Sequence, residues 1–301
     1  SNVLTNEWPG TFPSRRAAFM ADNCSDIHLV NFSVATYSTG QAEGLLMMGG
    51  KNIVSNMNIA GSGDALQLND SVYIVDSALI GAGDSVLTRG PLFFDHCDLT
   101  SNGAFMWIRN TEVSHGVVYL NSRFIPTRPP GPVIARAPTN GGKNYSHAEV
   151  VLINCQLGNL TPELWGPLGG DTSAMHFWEY NSTNISDGMP ADTSKRLAPA
   201  RQLTKDKDAE IIANYSNPTF VLGGWTPAMA PLILQQPQTG GTGTLTVKAG
   251  AVPPASFQWS KDGASISGAI GATLKTTGAG NYRVTATNSL GSVESAIIKV
   301  P

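Results

Sequence analysis

Residues 59–66 read I-A-G-S-G-D-A-L and residues 79–86 read L-I-G-A-G-D-S-V, one phrase written twice. Asp64 and Asp84 hold the same place in the two copies, 20 residues apart. If each copy is one coil of a stacked solenoid, successive strands lie about 4.8 Å apart and the two carboxyl groups become neighbours. Adjacent carboxylates repel, which favours a proton on one of them. The third copy carries Ala104 at that place, so the repeat itself does not demand an aspartate. The pair therefore reads as an acid/base carboxyl beside a nucleophilic one. The plainer alternative is a scaffold whose Gly-containing turns tolerate aspartate.

A shorter phrase recurs on both sides: N-F-S-V (31–34), N-M-N-I (56–59), D-S-A-L (76–79), H-C-D-L (96–99), N-S-R-F (121–124) and N-C-Q-L (154–157). Its endings are 25, 20, 20, 25 and 33 residues apart, the pattern of a solenoid with inserted loops. Each copy closes a strand-like alternation such as V-Y-I-V-D-S-A-L. Parallel crossovers are right-handed, so the expected fold is all-β, a right-handed parallel β-helix. Cys97 and Cys155 share one repeat position, where small apolar side chains face inward. The solenoid is expected to end near Leu157, followed by a covering segment to residue 227 with a helix over Asp206–Tyr215 capped by Thr204. Residues 228–232 read as a linker. After them, T-L-T-V-K-A, S-F-Q-W-S and Y-R-V-T-A-T-N alternate as strands.

Composition narrows the function. The 301 residues carry a net charge of −3 with no basic run, which argues against a nucleic-acid partner. No apolar run approaches the ~18 residues of a membrane span. Three cysteines without C-x-x-C spacing make neither a disulfide framework nor a zinc site, and the five histidines have no metal-like spacing. His96 lies inside a strand phrase and is expected to be structural or solvent-facing. No metal or cofactor is expected.

The order Q-A-x-x-L (Gln41, Leu45), G-D-A-L (Asp64), G-D-S-V (Asp84) and A-R-A-P (Arg136) resembles the pectin methylesterases. So does the tail, with W-E-Y-N-S-T (178–183), R-Q-L-T-K-D-K-D-A (201–209) and V-L-G-G-W-T-P (221–227). The resemblance covers about residues 15–227. It implies Asp84 as nucleophile, Asp64 as general acid and then base, Arg136 as the partner of Asp84, and Gln41 as a donor to the oxyanion. It also implies a domain over 1–227, with further N-terminal coils in the family that are not seen ahead of Gln41. Residues 232–301 resemble the immunoglobulin-like modules of secreted bacterial enzymes, with Trp259 as core tryptophan and Tyr282 as corner tyrosine.

This sequence departs from the family at three places. The glutamine ahead of the first aspartate is Gly63, the tryptophan after the arginine is Pro138, and the phenylalanine after the second aspartate is Ser85. Trp107, Tyr145 or Trp165 would supply the aromatic platform instead. The expected function is a secreted (extracellular or cell-surface, bacterial) monomeric carbohydrate esterase that removes methyl esters from polygalacturonate and releases methanol. The rivals are a lapsed β-helix that binds cell-wall polysaccharide, an esterase for another esterified polymer, and a structural surface protein or adhesin.

Overall fold

A computed structural model describes residues 17–37, 40–136, 139–140, 143–241 and 243–301. The described chain forms two compact units, divided at Thr226/Pro227. The first is a right-handed parallel β-helix of three parallel sheets. Its first sheet contains Phe19–Asp22, Leu45–Met48, Leu66–Leu68, Val86–Thr88 and Met106–Ile108. The second runs from His28–Val30 through Asn52–Ser55, Val72–Val75, Leu92–Asp95, Val117–Leu120 and Glu149–Ile153 to His176–Tyr180 and Arg201–Gln202. The third takes the strand that follows each of these, from Ser33–Ala35 to Thr183–Asn184.

The recurring polar residue is explained by the corner between the second and third sheets. Asn31, Asn56, Asp76, His96, Asn121, Asn154 and Asn181 all sit there with φ between 49° and 62°. This left-handed region is costly for most side chains, and Asn, Asp and His tolerate it best. The corner amides from Asn31 to Asn154 reach the next coil: Asn56 N donates to Val75 O at 3.1 Å and Asn121 N to Ile153 O at 3.0 Å. Side chains extend the ladder, with Asn181 Nδ2 donating to Asn154 Oδ1 at 2.9 Å. His96 belongs to this series, and its Nδ1 lies 2.7 Å from Asp95 Oδ1.

Apolar columns fill the interior. Ile59, Leu79, Leu99, Phe124 and Leu157 stack in register along the third sheet, and Val72, Leu92, Val117, Val150 and Phe177 along the second. All are buried, each contributing about 1.5–3 kcal/mol if fully removed from water. Cys97 and Cys155 are fully buried one residue past their corners. Burial pushes the Cys155 thiol up to about 12, so it stays protonated.

Two boundaries differ from the sequence reading. The solenoid does not end at Leu157, because His176–Tyr180 and Thr183–Asn184 add another coil. Its phrase N-S-T-N has the left-handed Asn181 but closes on Asn184, where earlier copies close on an apolar residue. Residues 229–232 are not a linker either. Met229 is buried and opens the strand Met229–Gly240. The segment between these features holds helix α1 (Lys205–Tyr215), which starts beside Thr204. The Thr204 side chain makes no cap; instead its backbone N–H donates to Asp208 Oδ2 at 2.8 Å.

The second unit has two antiparallel sheets that fit an immunoglobulin-like sandwich. Trp259 and Tyr282 lie fully buried in its core with Leu245, Leu274 and Val284. The Tyr282 hydroxyl donates to Gly278 O at 2.8 Å, the contact that defines a tyrosine corner.

Asn121→Val should cost about 1–2 kcal/mol, because a β-branched residue fits the left-handed corner poorly. Asn121→Gly should cost less, and the melting temperatures of the two variants check the order.

Candidate active site

Coil register brings the aspartates together. Ile59 pairs with Leu79 and Leu66 with Val86, so Asp64 and Asp84 occupy matching places on adjacent coils, about 4.8 Å apart in backbone. The two are not equivalent in conformation. Asp84 has φ +44° and Asp64 does not take positive φ, while the glycines ahead of them, Gly63 and Gly83, both do, at +97° and +136°.

Arg136 comes from two coils further along, past the coil that carries Ala104. Ala135 pairs with Met106, which places Arg136 beside Trp107 on the outer face of the first sheet. Its guanidinium forks onto Asp84, with Nε donating to Oδ1 at 2.8 Å and Nη2 lying 2.6 Å from Oδ2. This two-point geometry fixes the carboxylate plane. The Arg136 backbone is positioned in turn by Ile134 N donating to Leu164 O at 2.7 Å and Gly166 N donating to Ala135 O at 2.6 Å. A Cβ on Gly166 would stand 2.7 Å from Arg136 Cα, so only glycine allows that approach.

Asp64 is buried, and Gln41 Nε2 donates to its Oδ2. Gln41 is exposed on the strip where Ala42 bridges to Ser62. Arg136 thus forks onto Asp84, while the Gln41 amide donates to Asp64.

The aromatic candidates separate. Trp107 faces outward, with the guanidinium carbons of Arg136 and Arg109 at 4.4 and 4.8 Å from its ring centroid. Tyr145 is half-buried against the core. Trp165 cannot be a sugar platform: it is buried, with its ring 4.8 Å from Phe177. Its packing inside the coil removes it from the three candidates for the aromatic platform. Ser85 also points inward, 2.9 Å from Ser101 Oγ. Gly63 leaves no side chain at the family's second donor position, and its φ would strain any that was added. Pro138 lies outside the described residues.

A second polar cluster went unnoticed in the sequence. Glu149 accepts from Tyr215 O–H at 2.6 Å and pairs with the Nδ1 atoms of His115 at 2.9 Å and His176 at 2.8 Å. Burial pushes its carboxyl up, but the hydrogen bonds from His115, His176 and Tyr215 outweigh this and hold it at about 2. These residues line a cleft of about 390 Å³ that His147 and Phe220 also border. The cluster ties the segment after residue 200 to the solenoid. Arg196 is tied to the solenoid strand His176–Tyr180 by a buried pair with Glu179, Nε to Oε2 at 2.9 Å. Among the described residues no group of His, Cys, Asp and Glu is placed to hold a metal ion, and no helix is long and apolar enough to cross a membrane.

Solved structures similar to this chain include pectin methylesterases. One in complex with a hexasaccharide has a TM-score of 0.53, with 17% identity over 71% of this chain and 74% of its own. Pectin methylesterase from carrot has a TM-score of 0.56, with 15% identity over 70% and 69%. No family model and no curated protein sequence matches the chain. The chain therefore has a pectinesterase-like fold.

Gly166→Ala should destabilise the protein by about 1–3 kcal/mol through overpacking against Arg136, read as a lower melting temperature. Glu149 contributes stability that is present above its unfolded value of 4.5 and lost as pH falls toward about 2. Denaturant melts should therefore show the wild type losing more stability than Glu149→Gln between pH 5 and pH 2.

Proposed function

We propose that the chain hydrolyses methyl esters of a uronate polymer of the pectin type. The observation that carries this reading is the pairing of a buried Asp64, bonded by Gln41, with an Asp84 one coil away that Arg136 clamps. The Asp84 carboxylate attacks the ester carbonyl carbon. Gln41 donates to the oxyanion that forms, and Asp64 gives its proton to the departing methoxide, so methanol leaves and an anhydride with Asp84 remains. Asp64, now ionised, takes a proton from water. The resulting hydroxide opens the anhydride, releasing the free acid and restoring both aspartates. Ester and water enter; acid and methanol leave.

The likeness to pectin methylesterases, one of them holding a hexasaccharide, supports a polysaccharide as substrate. Secretion, a monomeric state and a spacer or attachment role for the C-terminal sandwich belong to the same reading. A second reading, a lapsed enzyme that binds the polymer, rests on Gly63, where one oxyanion donor is missing. Losing such a donor elsewhere costs on the order of 10²–10³ in rate.

Methanol release from highly methylated pectin tests the proposal. The wild type should release it, and Asp84→Asn should lower the rate by at least about 10³-fold with the melting temperature nearly unchanged. Equal rates for the two proteins would remove Asp84 from the mechanism.

A further inference from the structure

The cleft bordered by Glu149 takes no part in the chemistry above, and neither aspartate of the pair lines it. Its walls come from the loop between Met106–Ile108 and Val117–Leu120, which supplies Glu112 and His115, and from His147, His176, Tyr215 and Phe220. Glu149 itself is fully engaged. Tyr215 O–H, the two histidine Nδ1 atoms and Gly116 N, the last at 3.2 Å, take up both of its oxygens. Burial and then the Glu149 charge push the Tyr215 phenol up, so it keeps its proton and stays a donor.

An ionised carboxylate only accepts, so His115 and His176 each carry a proton on Nδ1. In the neutral ring this leaves Nε2 a bare acceptor on the side away from Glu149. Among the described residues neither Nε2 has a hydrogen-bond partner, and both rings are partly exposed in the cleft. Glu112 adds a carboxylate that is 73% exposed, and His147 Nε2 at 3.7 Å is its ionic contact. Among the described residues no lysine or arginine lines the cleft. Phe220 supplies an exposed aromatic wall, its ring 4.7 Å from that of His115 and 5.6 Å from that of Tyr215. An anion would meet two carboxylates here with no cation to offset them. Open acceptors, negative charge and an aromatic wall suit an organic cation.

We propose that this cleft binds a primary alkylammonium ion, its N–H groups donating to the bare imidazole nitrogens, its charge facing Glu112 and its chain against Phe220. The site does not rest on the ester-hydrolase reading.

The test titrates the full chain with butylammonium, and with butanol as its neutral match. The ring C–H NMR signals of the five histidines report binding, assigned by His115→Gln and His176→Gln. Butylammonium should shift the His115 and His176 signals with a Kd of about 1 mM, and butanol should not. Glu112→Gln should weaken binding about threefold, as loss of an exposed charge implies. Ala174→Leu, which narrows the cleft without changing its charge, should weaken it by at least about tenfold. The titratable groups around the cation are Glu112, His115, His147, Glu149, His176 and Tyr215. Acidification should weaken binding, because a protonated imidazole has no acceptor left. Equal melting temperatures exclude misfolding of the variants. Equal shifts with butanol, none with butylammonium, or unchanged affinity in either variant would overturn the site, whether or not methanol is released from pectin.

Discussion

Everything in the solenoid depends on one backbone constraint, the left-handed corner between the second and third sheets. One residue per coil takes positive φ there, and its amide reaches the carbonyl of the next coil. This fixes where each turn falls, and a slip of one residue would send every inward side chain out. Register then carries the consequence to the far side of the coil. Only because Leu79 lies opposite Ile59 and Val86 opposite Leu66 do Asp64 and Asp84 stand side by side.

The asymmetry of the pair follows from its neighbours. Arg136 reaches Asp84 across 52 residues of sequence, on a strip that Gly166 allows to sit close, while the Gln41 amide donates to Asp64. An exposed ion pair of this kind adds little to stability. Its value lies in aiming one carboxylate outward. Trp107 lies beside the clamp, between Arg136 and Arg109.

Much of this was legible in the residues. The phrase headed by Asn, Asp or His announced the period, and the order Gln41, Asp64, Asp84, Arg136 announced the site. What was not legible depends on packing in three dimensions. The coil at 176–184 closes on a polar residue and so hides its period. Trp165 reads as a candidate platform aromatic until the chain folds it against Phe177. Glu149, His115 and Tyr215 are far apart in sequence and meet only when the segment after residue 200 docks.

The central claim is that Asp84 forms a bond to the substrate, and rapid quenching of a reaction on methylated oligogalacturonate in hydroxylamine tests it most directly. Hydroxylamine opens an aspartyl anhydride and leaves a hydroxamate, which tandem mass spectrometry can locate. The account predicts a hydroxamate on Asp84 or on the product and none on Asp64, and little adduct in Asp64→Asn, which lacks the acid for the first step as well as the base for the second. Ester cleavage with neither Asp84 nor the product carrying a hydroxamate would contradict it.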